Sequence, residues 1–253
     1  MKVTILGSGT SQGVPVIACD CDVCLSKDPK DKRLRTSIMV EVDNNTIVID
    51  TGPDFRTQML NEKVQKLDAV LFTHEHKDHV AGLDDVRAFN YKWKKDIEVY
   101  ATARVSDALK REFHYVFSDV RYPGTPRVNM NLISNTDFNI GKTTVKPIEA
   151  LHHKLPIFGY KIKNLAYLTD VSYISPSEKK KLFGLDLLII DALRKEQHLS
   201  HFSLSQALKL IHEVKPKNSR LIHMSHYIGK HSDLIKELPL NVLPSYDGEV
   251  IFL

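Results

Sequence analysis

No apolar run in the 253 residues approaches the ~20 needed to span a bilayer, so a helical membrane protein is excluded. The start, Met1-Lys2-Val3-Thr4-Ile5-Leu6, is too short an apolar stretch for a signal peptide and runs at once into Gly7-Ser8-Gly9. The expected location is the cytoplasm, with no membrane partner. Low-complexity segments, repeats of roughly 20–50 residues and linkers are also missing. One domain spanning residues 1–253 is therefore expected. Charge of one sign is not in excess either: the net charge of +4 permits an anionic substrate without requiring one. Cysteine is scarce, with three residues all between Cys19 and Cys24. An odd, tight set in an intracellular chain favours metal ligation over disulfides.

What is present is ordinary globular material, 42% hydrophobic and 26% charged, which excludes disorder over most of the length. Short aliphatic and β-branched runs predict strands at Lys2–Leu6, Ser37–Val42, Thr46–Ile49, Ala69–Phe72, Ile97–Tyr100, Thr143–Ile148, Leu165–Leu168, Leu187–Ile190, Arg220–Ile222 and Val250–Phe252. Helical periodicity marks Val105–Tyr115, Ser177–Phe183, Ser203–Val214 and Ser232–Leu238, with Ser203 as an N-cap and Pro216 closing that helical region. Strands come first, then strands mixed with helices, which predicts an α/β fold of layered sheets with helices outside. Tyr115–Asn135 carries Pro123, Gly124 and Pro126 and is read as a long loop, offering a lid or a homodimer contact.

The most informative segment is Leu71-Phe72-Thr73-His74-Glu75-His76-Lys77-Asp78-His79. Side chains alternate along an extended chain, so His74 and His76 share one side. Asp78 and His79 follow in the turn and can face a neighbouring point, so one stretch can serve two adjacent metals. Imidazole and carboxylate suit zinc, iron or manganese. Other candidate ligands also follow apolar strands: Asp170 after Ala166-Tyr167-Leu168-Thr169, His223 after Leu221-Ile222, and His152 and His153 after Val145–Leu151. Functional groups gather at such carboxyl ends of strands.

Cys19-x-Cys21-x-x-Cys24 supplies three thiolates, and a tetrahedral zinc site needs a fourth ligand from elsewhere, which must be a histidine. Four protein ligands would leave no open position, so the site would be structural. Gly7-Ser8-Gly9-Thr10-Ser11-Gln12-Gly13 has its third glycine one residue too late for a dinucleotide loop, and Pro15 and the cysteines follow. Nucleotide binding is rejected there, and a tight turn between strands is expected. Arg33 and Arg35 could contact phosphate, or be solvated charges in the basic Lys27–Arg35 stretch.

His74-x-His76-x-Asp78-His79, followed by Gly82-Leu83, resembles the signature of the metallo-β-lactamase superfamily. Gly9-Thr10-Ser11-Gln12-Gly13-Val14-Pro15, the cysteine cluster, Phe158-Gly159-Tyr160, Leu168-Thr169-Asp170 and His223-Met224-Ser225-His226 are similar to its PhnP-type branch, which contains the phosphoribosyl cyclic phosphate phosphodiesterase of phosphonate breakdown. The resemblance implies an αββα sandwich of two mixed sheets with a dinuclear site at one edge. It implies that His74, His76 and either His152 or His153 bind one metal, that Asp78, His79 and His223 bind the other, and that Asp170 bridges them. The pattern His-x-Lys-Leu-Pro favours His152 and counting back from Gly159-Tyr160 favours His153; His152 is the preferred ligand. The same resemblance makes His226 the fourth ligand of a structural zinc.

Two cations a few ångströms apart lower the pKa of a bridging water and neutralise a phosphoryl oxygen. The resemblance assigns His201 the place of a general acid, with His198 as its neighbour and rival, and puts Asp78 among the catalytic residues; a near-neutral pKa would suit the acid's task. The expected protein is thus a hydrolase of phosphodiesters, acting on a small cyclic phosphate or a nucleotide-like ester with two Mn²⁺, Zn²⁺ or Fe²⁺ ions, beside one structural Zn²⁺. A tRNA 3′-processing nuclease would need a basic, glycine-rich arm that the chain lacks, so no nucleic-acid partner is expected. A lactam or thioester hydrolase and a non-catalytic metal-binding protein are the other readings.

Overall fold

The computed structural model describes residues 1–118 and 122–253. Two seven-stranded sheets form its centre. The first contains β1 (Lys2–Gly7), β2 (Ser37–Val42), β3 (Asn45–Ile49), β4 (Ala69–Leu71), β5 (Ile97–Ala101) and β6 (Val128–Leu132), with β14 (Val250–Phe252) beside β1. The second runs in the order β13 (Val242–Pro244), β12 (Asn218–Ile222), β11 (Leu187–Asp191), β10 (Leu165–Leu168), β9 (Leu155–Ile162), β8 (Thr143–His152), β7 (Phe138–Ile140).

The inner faces pack together through Val3, Ile5, Ile38 and Ile47 on one side and Val145, Tyr160, Tyr167 and Ile189 on the other. Helices α1 (Phe55–Asn61), α3 (Arg87–Trp93) and α4 (Ala103–Glu112) cover the outside of the first sheet. Helices α7 (Leu204–Val214) and α8 (His231–Glu237) cover the second. This is the αββα sandwich expected. Both faces of the central strands are buried, so they read as continuous apolar runs rather than alternating ones. In α7 the Ser203 hydroxyl accepts from Gln206 N while the Gln206 side chain answers the Ser203 N–H, a full capping box.

β3 to β6 are mutually parallel, as are β10 to β13. β8 runs antiparallel to β9, and β9 antiparallel to β10, so β8 points the same way as β10. The carboxyl ends of β3, β4, β8, β10, β11 and β12 carry the residues of the site.

Three expectations change. Tyr115–Asn135 is not a continuous loop: α5 (His114–Phe117) enters it, and β6 adds to the sheet edge in parallel register with β5. The strand Val128-Asn129-Met130-Asn131-Leu132 alternates apolar and polar residues, but it is short, and at the sheet edge with one partner strand only Val128 is buried. Residues 119–121 of that segment lie outside the described residues. Second, Gly7–Gly13 is not a tight turn between strands. The chain leaves β1 at Gly7 and enters β2 only at Ser37, and the excursion between holds the cysteines. Third, the predicted helix Ser177–Phe183 is a short α6 (Pro176–Lys179) passing into a 3-10 turn at Lys180–Leu182. No helix among the described residues is long and apolar enough to cross a membrane.

Candidate metal centre

After β4 the chain runs through His74 and His76 into α2 (Lys77–Val80), whose first turn carries Asp78 and His79. This loop lies tightly on the residues after β3: a Cβ on Gly52 would stand 2.1 Å from Asp78 O, so only glycine fits. Asp50, Asp170 and His223 follow strands and have φ of 66°, 59° and 57°. Left-handed backbone is costly for these residues and persists only where surroundings enforce it. Each kink turns a strand-end side chain out of the pleat.

The ligand atoms fall into two main groups flanking the Asp170 carboxylate, and a third set, His152, Asp170 and His201, overlaps both. His74, His76 and His152 form the first group; Asp78, His79, Asp170 and His223 form the second. In the first, His74 Nε2 lies 3.1 Å from His76 Nδ1. In the second, His79 Nε2 lies 3.1 Å from Asp78 Oδ2, and His223 Nε2 lies 3.7 Å from the same oxygen. Asp170 reaches both. Its Oδ1 is 3.3 Å from His79 Nε2 and 3.2 Å from His223 Nε2, while its Oδ2 is 3.9 Å from His74 Nε2.

Surrounding bonds fix which nitrogens face inward. His79 Nδ1–H donates to Asp50 Oδ2 at 2.8 Å. The Thr73 hydroxyl donates to the same carboxylate and accepts from His74 Nδ1–H at 3.0 Å. His152 Nδ1–H donates to the carbonyls of Asp170 and Ser200 at 3.0 and 2.8 Å. In each ring Nδ1 is occupied and Nε2 faces the cluster, the orientation that metal-ligating imidazoles take; without an ion the carboxylates raise His79 well above its ordinary value. His153 is exposed, and its backbone N–H bonds the Ser172 hydroxyl. His152 therefore joins the cluster and His153 stays outside.

The electrostatics call for a cation. Burial would push the Asp170 and Asp78 carboxyls up, but neighbouring imidazoles, His223 and His79 above all, hold both well below the usual range. His74, fully buried and beside His79, is held well below its ordinary value and is neutral. The buried Nε2 atoms of His79 and His223 have no hydrogen-bond partner. Unpartnered buried nitrogens opposite ionised carboxylates are what a divalent ion would satisfy. The donor set fits two such ions.

His201 stands at the rim, its ring 4.7 Å from that of His152 and its Nε2 4.0 Å from Asp170 Oδ2. Its Nδ1 meets Asp191 Oδ2 at 3.2 Å. Burial pushes His201 down to about 4, away from the near-neutral value expected of an acid. Burial and the adjacent Asp170 charge hold Asp191 well above the carboxylate range. Asp191 is thus pushed towards its protonated form where it faces the neutral His201 ring. Asp50 and Asp191 were missed in the sequence, although each stands at the carboxyl end of an apolar strand as the ligands do.

Arg33 and Arg35 are already engaged. Arg33 is buried and donates to the carbonyls of Ser225 and Gly229, both at 2.9 Å, so it is neither a solvated charge nor free for phosphate. Arg35 pairs with Asp54 at 3.0 Å.

The cysteines form a separate cluster. Cys19, Cys21 and Cys24 Sγ stand 3.3, 3.3 and 3.5 Å from His226 Nδ1. Four soft donors around one point, with no fifth position, suit a closed tetrahedral zinc.

A family model of the beta-lactamase superfamily domain matches residues 45–224. An octanoyltransferase of Porphyromonas gingivalis is 42% identical over 251 residues, 98% of this chain; the chain spans 51% of that protein's length. A crystal structure of a diphosphatase from the PhnP family superposes with TM-score 0.93 at 36% identity, covering 100% of this chain and 97% of that one. Zn²⁺-bound PqqB of Methylobacterium extorquens, 18% identical with TM-score 0.83 over 100% of both chains, shares the fold. Such a fold implies divalent metal binding, and the clustered imidazoles and carboxylates are consistent with it. By its matched residues and its architecture, the chain belongs to the metallo-β-lactamase superfamily of hydrolases, in the PhnP-type branch.

Proposed function

We propose that this protein is a dinuclear metal-dependent phosphodiesterase acting on a small cyclic phosphate or a nucleotide-like phosphoester. The observation that carries the reading is the divided Asp170 carboxylate, one oxygen on each ligand group. His74, His76 and His152 would hold one ion, Asp78, His79 and His223 the other, with Asp170 between. Bound there, the ions supply an activated water and neutralise charge on the phosphoryl group.

The chain's own residues do the rest. Asp50 orients His79, and the carbonyls of Asp170 and Ser200 orient His152. On this reading the Asp191–His201 pair starts with two protons, one on the Asp191 carboxyl facing His201 Nδ1 and one on His201 Nε2. His201 Nε2–H can pass its proton to a leaving oxygen while the Asp191 proton moves to Nδ1, so the pair ends with one proton, on Nδ1. Asp78 and Asp170 remain ionised throughout. Cys19, Cys21, Cys24 and His226 would bind a structural Zn²⁺ that ties the N-terminal loop to the end of β12. The inter-sheet core supports reading residues 1–253 as one folding unit.

A second reading is an acyl-ester or thioester hydrolase, favoured by the octanoyltransferase relative. A panel of bis(p-nitrophenyl) phosphate, cyclic phosphates and acyl thioesters, run with Mn²⁺, Zn²⁺ and Fe²⁺, separates the two. Phosphoester turnover is expected to dominate. Thioester turnover without nitrophenol release would transfer the assignment to the second reading.

A further inference from the structure

Two residues interleave the ligands of the loop after β4: Glu75 lies between His74 and His76, and Lys77 between His76 and Asp78. Both are tied to one helix. Arg104 Nε donates to Glu75 Oε1 at 2.6 Å, and Lys77 Nζ donates to Glu112 Oε2 at 2.6 Å. Arg104 is the second residue of α4 and Glu112 its last. The loop is therefore gripped from the two ends of α4, by ion pairs of opposite polarity. The Glu75 and Glu112 side chains are only 16% and 19% exposed, so salt screens these pairs less than it does open surface pairs.

α4 is a firm anchor. Thr102 caps it by accepting the Val105 N–H, and Val105 and Leu109 are buried in the core outside the first sheet. Its two pairing charges are the wrong way round for the helix itself. A helix dipole disfavours a cation at the N-terminus and an anion at the C-terminus. Lys110 and Arg111, just before Glu112, have the sign the dipole prefers. Arg104 and Glu112 thus act against the helix and for the loop.

His76 is where the grip matters. It is the exposed imidazole of its ligand group. The rings of His74, His79 and His152 are each oriented by a bond at Nδ1. His76 instead turns Nδ1 to the cluster, 3.1 Å from His74 Nε2, and its Nε2 has no hydrogen-bond partner among the described residues. α2 starts on its carbonyl, which accepts from His79 N and Val80 N, but that fixes the backbone on one side only.

We propose that Arg104 and Glu112 are positioning residues for the metal loop. Through Glu75 and Lys77 they hold the chain on both sides of His76, and so set the affinity for the ion that His74, His76 and His152 would share. This rests on reading the cluster as a metal centre. Ordering of the loop before the ion arrives is what the clasp contributes, since a ligand already in place loses less freedom on binding.

Mn²⁺ titration followed by electron paramagnetic resonance of the free ion tests this, on protein whose cysteine cluster is filled with zinc, because thiolates select zinc over manganese. Arg104→Gln removes a positive charge near the site and Glu112→Gln a negative one. A through-space effect of charge would shift affinity in opposite directions, whereas the clasp predicts that both weaken it. Each is expected to weaken one of the two Mn²⁺ ions by about 2–5-fold, the worth of one such ion pair. The double variant should reach about 5–20-fold, and Arg104→Lys should keep most of the affinity. Thermal melting should not fall in any of them, while amide hydrogen exchange at residues 74–78 of the protein free of Mn²⁺ should quicken in the double variant. Affinity shifts of opposite sign, weakening seen only with a lower melting temperature, or a double variant that binds as the unaltered protein does would each overturn the clasp. If the unaltered protein takes up no Mn²⁺, quicker exchange in the double variant would keep the clasp and remove the metal reading, and unchanged exchange would overturn the clasp as well.

Discussion

The two ligand clusters of this molecule are built on opposite plans. The sulfur cluster comes from one short loop and one distant residue; its donors converge on a single point and leave no opening. The imidazole–carboxylate cluster draws on several strand ends in two sheets, and its donors divide around Asp170. On the proposed reading the first arrangement would only fasten, and the second would leave room for chemistry. They meet on one segment, where His223 and His226 stand three residues apart. Arg33 grips that segment by the carbonyls of Ser225 and Gly229, on either side of His226. If the proposed roles hold, the sulfur cluster would keep His223 in place for the other cluster without taking part in its reaction.

Asp170→Ala should break the working site most severely. Turnover is expected to fall on the order of 10³-fold or more, with loss of both ions by elemental analysis. Retention of wild-type rate would remove Asp170 from the centre. Arg33→Met tests the seam between the clusters. It strips a buried cation from Asp31 and two carbonyls, so unfolding by denaturant should show a loss of about 3–5 kcal/mol. A change within experimental error would mean the seam carries no weight. Cys21→Ser should lower Tm by roughly 5–10 °C through loss of the zinc tie while sparing the ions of the other cluster. Simultaneous loss of all metals would show that the clusters are not separable. The smallest effect is expected of Asp50→Asn, which should weaken metal binding at the His79 side by about 10–100-fold, read by competition with a chelator.

Much of this was legible because the ligands sit where an apolar strand stops. His74, His76, Asp78, His79, Asp170 and His223 all follow such runs, and the sheet order brings those ends to one edge. Asp50 obeys the same rule after β3 and was overlooked because it belongs to no histidine motif. Asp191 closes β11 and looks like an ordinary strand end. β9 escaped notice because Pro156 and Gly159 signal turns. Pro156 is tolerated at the strand's start, and Gly159 is demanded by packing, since a Cβ there would stand 2.6 Å from the backbone Tyr167 O. The sequence preferred His152 to His153 through the His-x-Lys-Leu-Pro pattern, and the structure agrees: the left-handed kink at His153, with φ of 55°, lies at the turn between β8 and β9 and leaves that side chain exposed.

The central claim is best tested by electron paramagnetic resonance of the protein loaded with Mn²⁺ at the imidazole–carboxylate cluster. Two ions bridged by Asp170 predict an exchange-coupled spectrum at two equivalents of Mn²⁺ per chain, lost in Asp170→Ala. A single uncoupled ion at saturation would contradict it.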